Sequence, residues 1–228
     1  MHFIILGTLL LGLLYAPQLW ARYTFKKYSQ QQEHFPGTGG ELARHLLNEF
    51  ELQSVSLEVT EQGDHYDPEN RTVRLSSQNF NGKSLTAIAI AAHEVGHAIQ
   101  HAQQHPLLSL RTKLINTAAT AEKFSSLALI AIPVMTLITR SPSAGLLMFL
   151  VAISSMLLSI IIHLVTLPVE LDASFSKALP ILQKGGYISE RESNAAKKIL
   201  RAAALTYVAS SLASLLNFWR WIAILRRR

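Results

Sequence analysis

The 228-residue chain contains no cysteine. That removes disulfides and thiolate metal sites from consideration and leaves the redox compartment open. Charge is scarce as well. Only 16% of residues are Asp, Glu, Lys or Arg, against 49% hydrophobic, and mean hydropathy is positive. So apolar a balance suggests lipid contact. No internal repeat, low-complexity tract or nucleic-acid motif occurs, so the formal net charge of +6 points to membrane topology and anionic head groups, and no nucleic-acid partner is expected.

What the chain does have is long apolar runs, at residues 3–21, 125–139, 144–167 and 203–219. A helix rises about 1.5 Å per residue, so a hydrocarbon layer of about 30 Å takes roughly 20 residues. The third run is long enough to span, the first is long enough, the second is short for a lone span, and the fourth reaches the length only if it continues to Leu225. The first lacks a basic leader and a small-residue cleavage site, which favours an uncleaved anchor over a signal peptide. Runs two and three are expected to form a hairpin turning at Arg140-Ser-Pro-Ser. The polar segments on either side of that hairpin then emerge on one membrane face. They carry 16 of the 21 Lys and Arg residues, which makes that face cytoplasmic by the positive-inside tendency. The expected organisation is an anchor at 1–21, the first part of a polar domain at 22–123, a transmembrane hairpin at 124–167, the second part of that domain at 168–202, and a transmembrane or membrane-associated helix with a basic tail at 203–228. The expected fold is a mainly α membrane protein with a small β-hairpin or sheet on about four transmembrane or membrane-associated helices.

Within the first polar segment, Pro36-Gly-Thr-Gly-Gly40 precedes a helix over 41–52, with Thr38 or Gly39 as its cap. Alternating stretches at 55–60 and 72–76 read as strands, joined by the polar loop EQGDHYDPENR. A second helix starts near Ser84 as N-cap, continues to about Gln104 and ends at Pro106.

That helix carries His93-Glu94-Val95-Gly96-His97, the pattern H-E-x-x-H. Positions four apart share a helix face about 6 Å apart along the axis, so two imidazoles can converge on one zinc ion. Glu94 stands where it can reach a water in the open coordination position without binding the metal itself. His101 and His105 continue the four-residue spacing, but each step rotates about 40° further and rises another 6 Å, so they walk away from the metal. A catalytic zinc commonly has three protein ligands. The third is sought at the exit of the third apolar run, where Pro168-Val169-Glu170-Leu171-Asp172-Ala173-Ser174 offers two carboxylates; an acid there could also simply cap a turn. His163, seven residues before Glu170 and so on roughly the same face, is an ionisable group inside an apolar run. His65 and Tyr66, in the loop between the strands, could donate to the oxyanion formed when water adds to a carbonyl, or could belong to an ordinary turn. Strand 72–76, if a sheet edge, could pair with an extended substrate.

AAHEVGHAIQHAQ, with PVELDAS downstream and DHYDPENRTVRLS upstream, resembles the bacterial neutral zinc metallopeptidase family of membrane proteins, the YugP-like group, itself similar to gluzincin-type membrane peptidases. The likeness extends from the first apolar helix through PVELDAS. It implies one Zn2+ per chain held by His93, His97 and Glu170, with Glu94 as catalytic base. Gluzincin relatives often carry aspartate four positions after the ligand glutamate; here Ser174 stands there and the aspartate is Asp172, so either could support a zinc-bound histidine. The expected activity is that of a zinc metalloendopeptidase of the bacterial inner membrane. Its partners would be peptide or protein substrates, membrane proteins included, and the lipid bilayer. The alternative is a non-catalytic, zinc-stabilised membrane scaffold or binding protein. A third reading, a small transporter with a chance motif, has too few spans.

Overall fold

Thr38 starts a helix for a local reason: its hydroxyl accepts from the Glu41 N–H while the Glu41 carboxylate accepts from the Thr38 N–H, so both backbone donors are satisfied. In the computed structural model, which describes residues 2–120 and 143–206, that helix is α2 (Gly39–Glu49), preceded by α1 (His2–Lys27). Three strands follow, β1 (Ser56–Thr60), β2 (His65–Asp67) and β3 (Thr72–Ser76), then α3 (Ser77–Asn81) and α4 (Leu85–Ala102). α5 covers 106–120. α6 (Ser143–Leu171) runs into a π-helical turn (Asp172–Ala178) and α7 (Leu179–Lys184), and α8 covers 190–206.

α4 begins as expected at Ser84, whose hydroxyl accepts from the Ala87 N–H. Every residue from Leu85 to Gln100 is buried, so the helix is covered on all sides and forms the axis of the molecule. Around it pack Leu46 and Leu47 of α2, Val73 and Leu75 of β3, and Ile199 and Leu200 of α8. Each such side chain contributes roughly 1.5–3 kcal/mol on burial. Gly39 lets α2 come close: a Cβ there would lie 2.8 Å from the Ala87 carbonyl. The end of α1 is tied to the start of α4, with the Thr86 hydroxyl donating to the Phe25 carbonyl at 2.9 Å and the Thr86 N–H to the Tyr28 carbonyl. Pro106 does more than end α4. It stands at the first position of α5, where its missing N–H costs nothing.

Two expectations require correction. β1 and β3 are parallel neighbours, not the arms of a hairpin, and the loop between them holds β2, antiparallel to β3. The reason lies in Asp67. Its carboxylate accepts from the backbone of Glu69 and Asn70, the Asn70 amide and Arg74, closing a tight turn that folds β2 back on β3. Those contacts hold the Asp67 carboxyl down at about 2 although burial opposes them. β3 is consequently the central strand, and the sheet's free edges are β1 and β2. The second correction concerns the fold class. The chain is mostly helical with a small three-stranded sheet, and among the described residues no helix is long and apolar enough to cross a membrane. Hydropathy alone was a poor guide because α1 and α6 continue out of their apolar runs into the domain, where Ala21 and Thr24, and Thr166, Val169 and Glu170, are buried against protein. The run at 125–139, the turn at Arg140 and most of the run at 203–219 lie outside the described residues.

Candidate metal centre

α4 packs against the π-helical turn that continues α6. Gly96 sets the distance. A Cβ at this position would meet the Ala173 carbonyl at 2.9 Å, so a glycine is what allows the helix and the π turn to touch. The result is a cluster of His93, His97 and Glu170, each offering one ligand atom, with those atoms within 4.8 Å of one another. Both imidazole Nε2 atoms lie 3.2 Å from Glu170 Oε2, and Glu170 has no solvent exposure.

The outer nitrogens define what the inner ones can do. Gln100 donates through its amide nitrogen to the Val169 carbonyl at 2.9 Å and to Asp172 Oδ2 at 2.8 Å, which uses both hydrogens. Its oxygen must therefore accept, and it takes the Nδ1–H of His97 at 2.9 Å. The Ser174 hydroxyl spends its one hydrogen on the Leu200 carbonyl at 3.1 Å, so its oxygen accepts the Nδ1–H of His93, also at 3.1 Å. In the neutral rings both Nε2 atoms thus carry lone pairs, and both face a carboxylate oxygen. Three acceptors so placed repel one another unless a cation sits among them. The donor set, two imidazoles and one carboxylate with an adjacent acid, fits a zinc ion.

Glu94 is 5% exposed. Burial pushes its carboxyl up to about 8, with the His93 ring opposing and the Glu170 and Asp64 carboxylates adding to the rise. With the rings protonated in place of a bound cation, Glu170 is held well below the ordinary carboxylate range: burial opposes this, but the charge of His97 and hydrogen bonds from both rings prevail. Arg111, from α5, brings Nη2 to 3.6 Å from Glu170 Oε1.

The remaining candidates fall around this centre. Asp172 and Ser174 divide the supporting role, Ser174 touching His93 directly and Asp172 reaching His97 through Gln100. Tyr66 and His65 are not in the ligand cluster. The Tyr66 hydroxyl shares a 2.7 Å hydrogen bond with His101 Nδ1, burial pushing the phenol up to about 12, and His65 donates from Nδ1 to the Gly63 carbonyl in its own turn. His105 Nε2 stands 4.0 Å from Asp172. His163 lies two turns before Glu170, its pKa lowered by burial, and is likewise not among the ligands. Gln100 and Arg111 were not anticipated. Gln100 had a signal, being three residues after His97 on the same helix face; Arg111 had none in its local sequence.

Two comparisons accord with this arrangement. Residues 2–226 match the family described as "Putative neutral zinc metallopeptidase". The chain is 38% identical over 229 residues to "Putative membrane protease YugP" of Bacillus subtilis (strain 168), covering 98% of this chain and 96% of the relative. No solved structure matches it.

Proposed function

The chain belongs to this neutral zinc metallopeptidase family, and on that premise we propose that it hydrolyses peptide bonds with His93, His97 and Glu170 as zinc ligands and Glu94 as general base. The observation that carries the reading is the convergence of three lone-pair donors with a buried carboxyl beside them. A bound zinc ion would supply a water of lowered pKa and polarise the substrate carbonyl. The protein's own residues do the rest. Ser174 and Gln100 hold the two rings with Nε2 inward. Glu94 takes the proton of the attacking water and delivers it to the leaving amine, a shuttle suited to a buried carboxyl one residue on from a proposed ligand. Glu94→Gln keeps the shape but removes the base. The variant should retain zinc and lose hydrolysis by about 10²-fold or more. Cleavage of a protein substrate by the variant at the wild-type rate would remove Glu94 as the base; zinc-loaded wild-type protein that shows no chelator-sensitive cleavage would favour the zinc-stabilised scaffold instead.

The place of action is proposed to be a membrane. Exposed Tyr15, Leu19 and Tyr23 recur every four residues on α1, and Leu147, Leu150, Ile161 and Leu164 are exposed along α6. Such apolar stripes suit contact with lipid or with membrane proteins, and the Bacillus subtilis relative is itself called a membrane protease. Fractionation of cells should place the protein with the membranes, and recovery in the water-soluble fraction alone would overturn this aspect of the proposal.

A further inference from the structure

Arg111 is a partly buried cation that the proposed mechanism does not use. Its side chain is 15% exposed, and Nη2 lies 3.6 Å from Oε1 of a fully buried Glu170. The two oxygens of that carboxylate have different surroundings. Oε2 faces both imidazoles at 3.2 Å, while Oε1 has no hydrogen-bond partner among the described residues and has the guanidinium as its ion-pair neighbour. We infer that Arg111 is a positioning residue, drawing Oε1 away so that Glu170 offers a single oxygen to the metal and leaves it four donors with its water, not five. The inference rests on the assignment of His93, His97 and Glu170 as zinc ligands.

The physical need is specific. A carboxylate can bind a divalent ion through one oxygen or two, and the second oxygen would add a donor beside the water of a catalytic zinc, raising the count from four to five. Backbone placement alone does not choose between them, because rotation about the last side-chain bond of Glu170 exchanges one mode for the other. A charge beside Oε1 does choose. Arg111, from α5, stands beside Oε1 while the two rings contact Oε2, and its planar guanidinium presents a more fixed direction than a lysine would. In low-dielectric surroundings this attraction is far stronger than in water. Partners that act on a metal ligand in this way typically change metal affinity by about 10–100-fold.

The test uses the full chain loaded with Co2+ in place of Zn2+, compared as wild type, Arg111→Met and Arg111→Lys. Visible absorption reports the number of donors, because four-coordinate Co2+ absorbs strongly and five-coordinate Co2+ weakly. Wild type should give the strong spectrum, Arg111→Met the weak one together with a shift in zinc affinity of roughly 10–100-fold in chelator competition, and Arg111→Lys an intermediate position in both. Should Arg111→Met fail to fold, Arg111→Lys carries the test, and a spectrum and zinc affinity equal to wild type overturn the inference. Wild-type uptake with an unchanged Arg111→Met spectrum and affinity overturns it alone. Wild-type protein that takes up no metal overturns both the inference and the ligand assignment beneath it.

Discussion

A histidine binds a metal through one nitrogen only when the other is told to keep its proton, and here two uncharged residues give that instruction. Ser174 can accept from His93 because its own hydrogen is committed to Leu200, and Gln100 can accept from His97 because its amide hydrogens are committed to Val169 and Asp172. Removing Gln100 should therefore act on the metal without touching it. In Gln100→Leu the His97 N–H and the Val169 carbonyl lose their buried partner, at a cost of about 1–3 kcal/mol per group, and zinc affinity should fall by roughly 10–100-fold. Chelator competition reads this directly, and affinity equal to wild type would show that His97 needs no such support. The division of labour between Ser174 and Asp172 was not legible in the sequence. Residue spacing placed both near the site, but which ring each serves depends on Gln100 standing between Asp172 and His97.

Among elements, the contact of α4 with the π turn decides whether the site exists. A π turn adds a residue to the helical repeat and is often found at functional sites; here it carries Asp172, Ala173 and Ser174 past Gly96. Two effects compete in Gly96→Ala. Alanine is the better helix former by about 1 kcal/mol, but its methyl would press on the Ala173 carbonyl at 2.9 Å, and overpacking of a tight core typically costs about 1–3 kcal/mol. Backbone cannot swing aside as a side chain can, so the clash should prevail. The variant should unfold at lower urea concentration and bind zinc more weakly; a variant as stable as wild type with full zinc affinity would mean that the two elements do not depend on this close approach. Helix starts at Thr38 and Ser84 were readable because each is settled within four residues by its own cap. The direction of β1 against β3 was not, since alternation marks a strand without saying which way its neighbour runs, and the turn-closing role of Asp67 involves Arg74 seven residues away.

At the scale of the whole molecule, the apolar runs have a second use. α6 is long, and its final turns deliver Glu170 to a helix more than seventy residues earlier in the chain. Hydropathy marked the run and could not say that its end would be buried in a polar cluster. The H-E-x-x-H pair was legible because its geometry is local, whereas the proposed third ligand rests on a family likeness and on distances that only the folded chain supplies. Arg111 and the Leu200 carbonyl, contributed by α5 and α8, had no local signature at all.

In the proposed centre, Glu170 closes the site that His93 and His97 open. Zinc content of the purified protein, measured for wild type and for Glu170→Ala, tests this most directly. About one zinc per chain in wild type and its loss from the variant is the expected result, and full occupancy in Glu170→Ala would contradict the account.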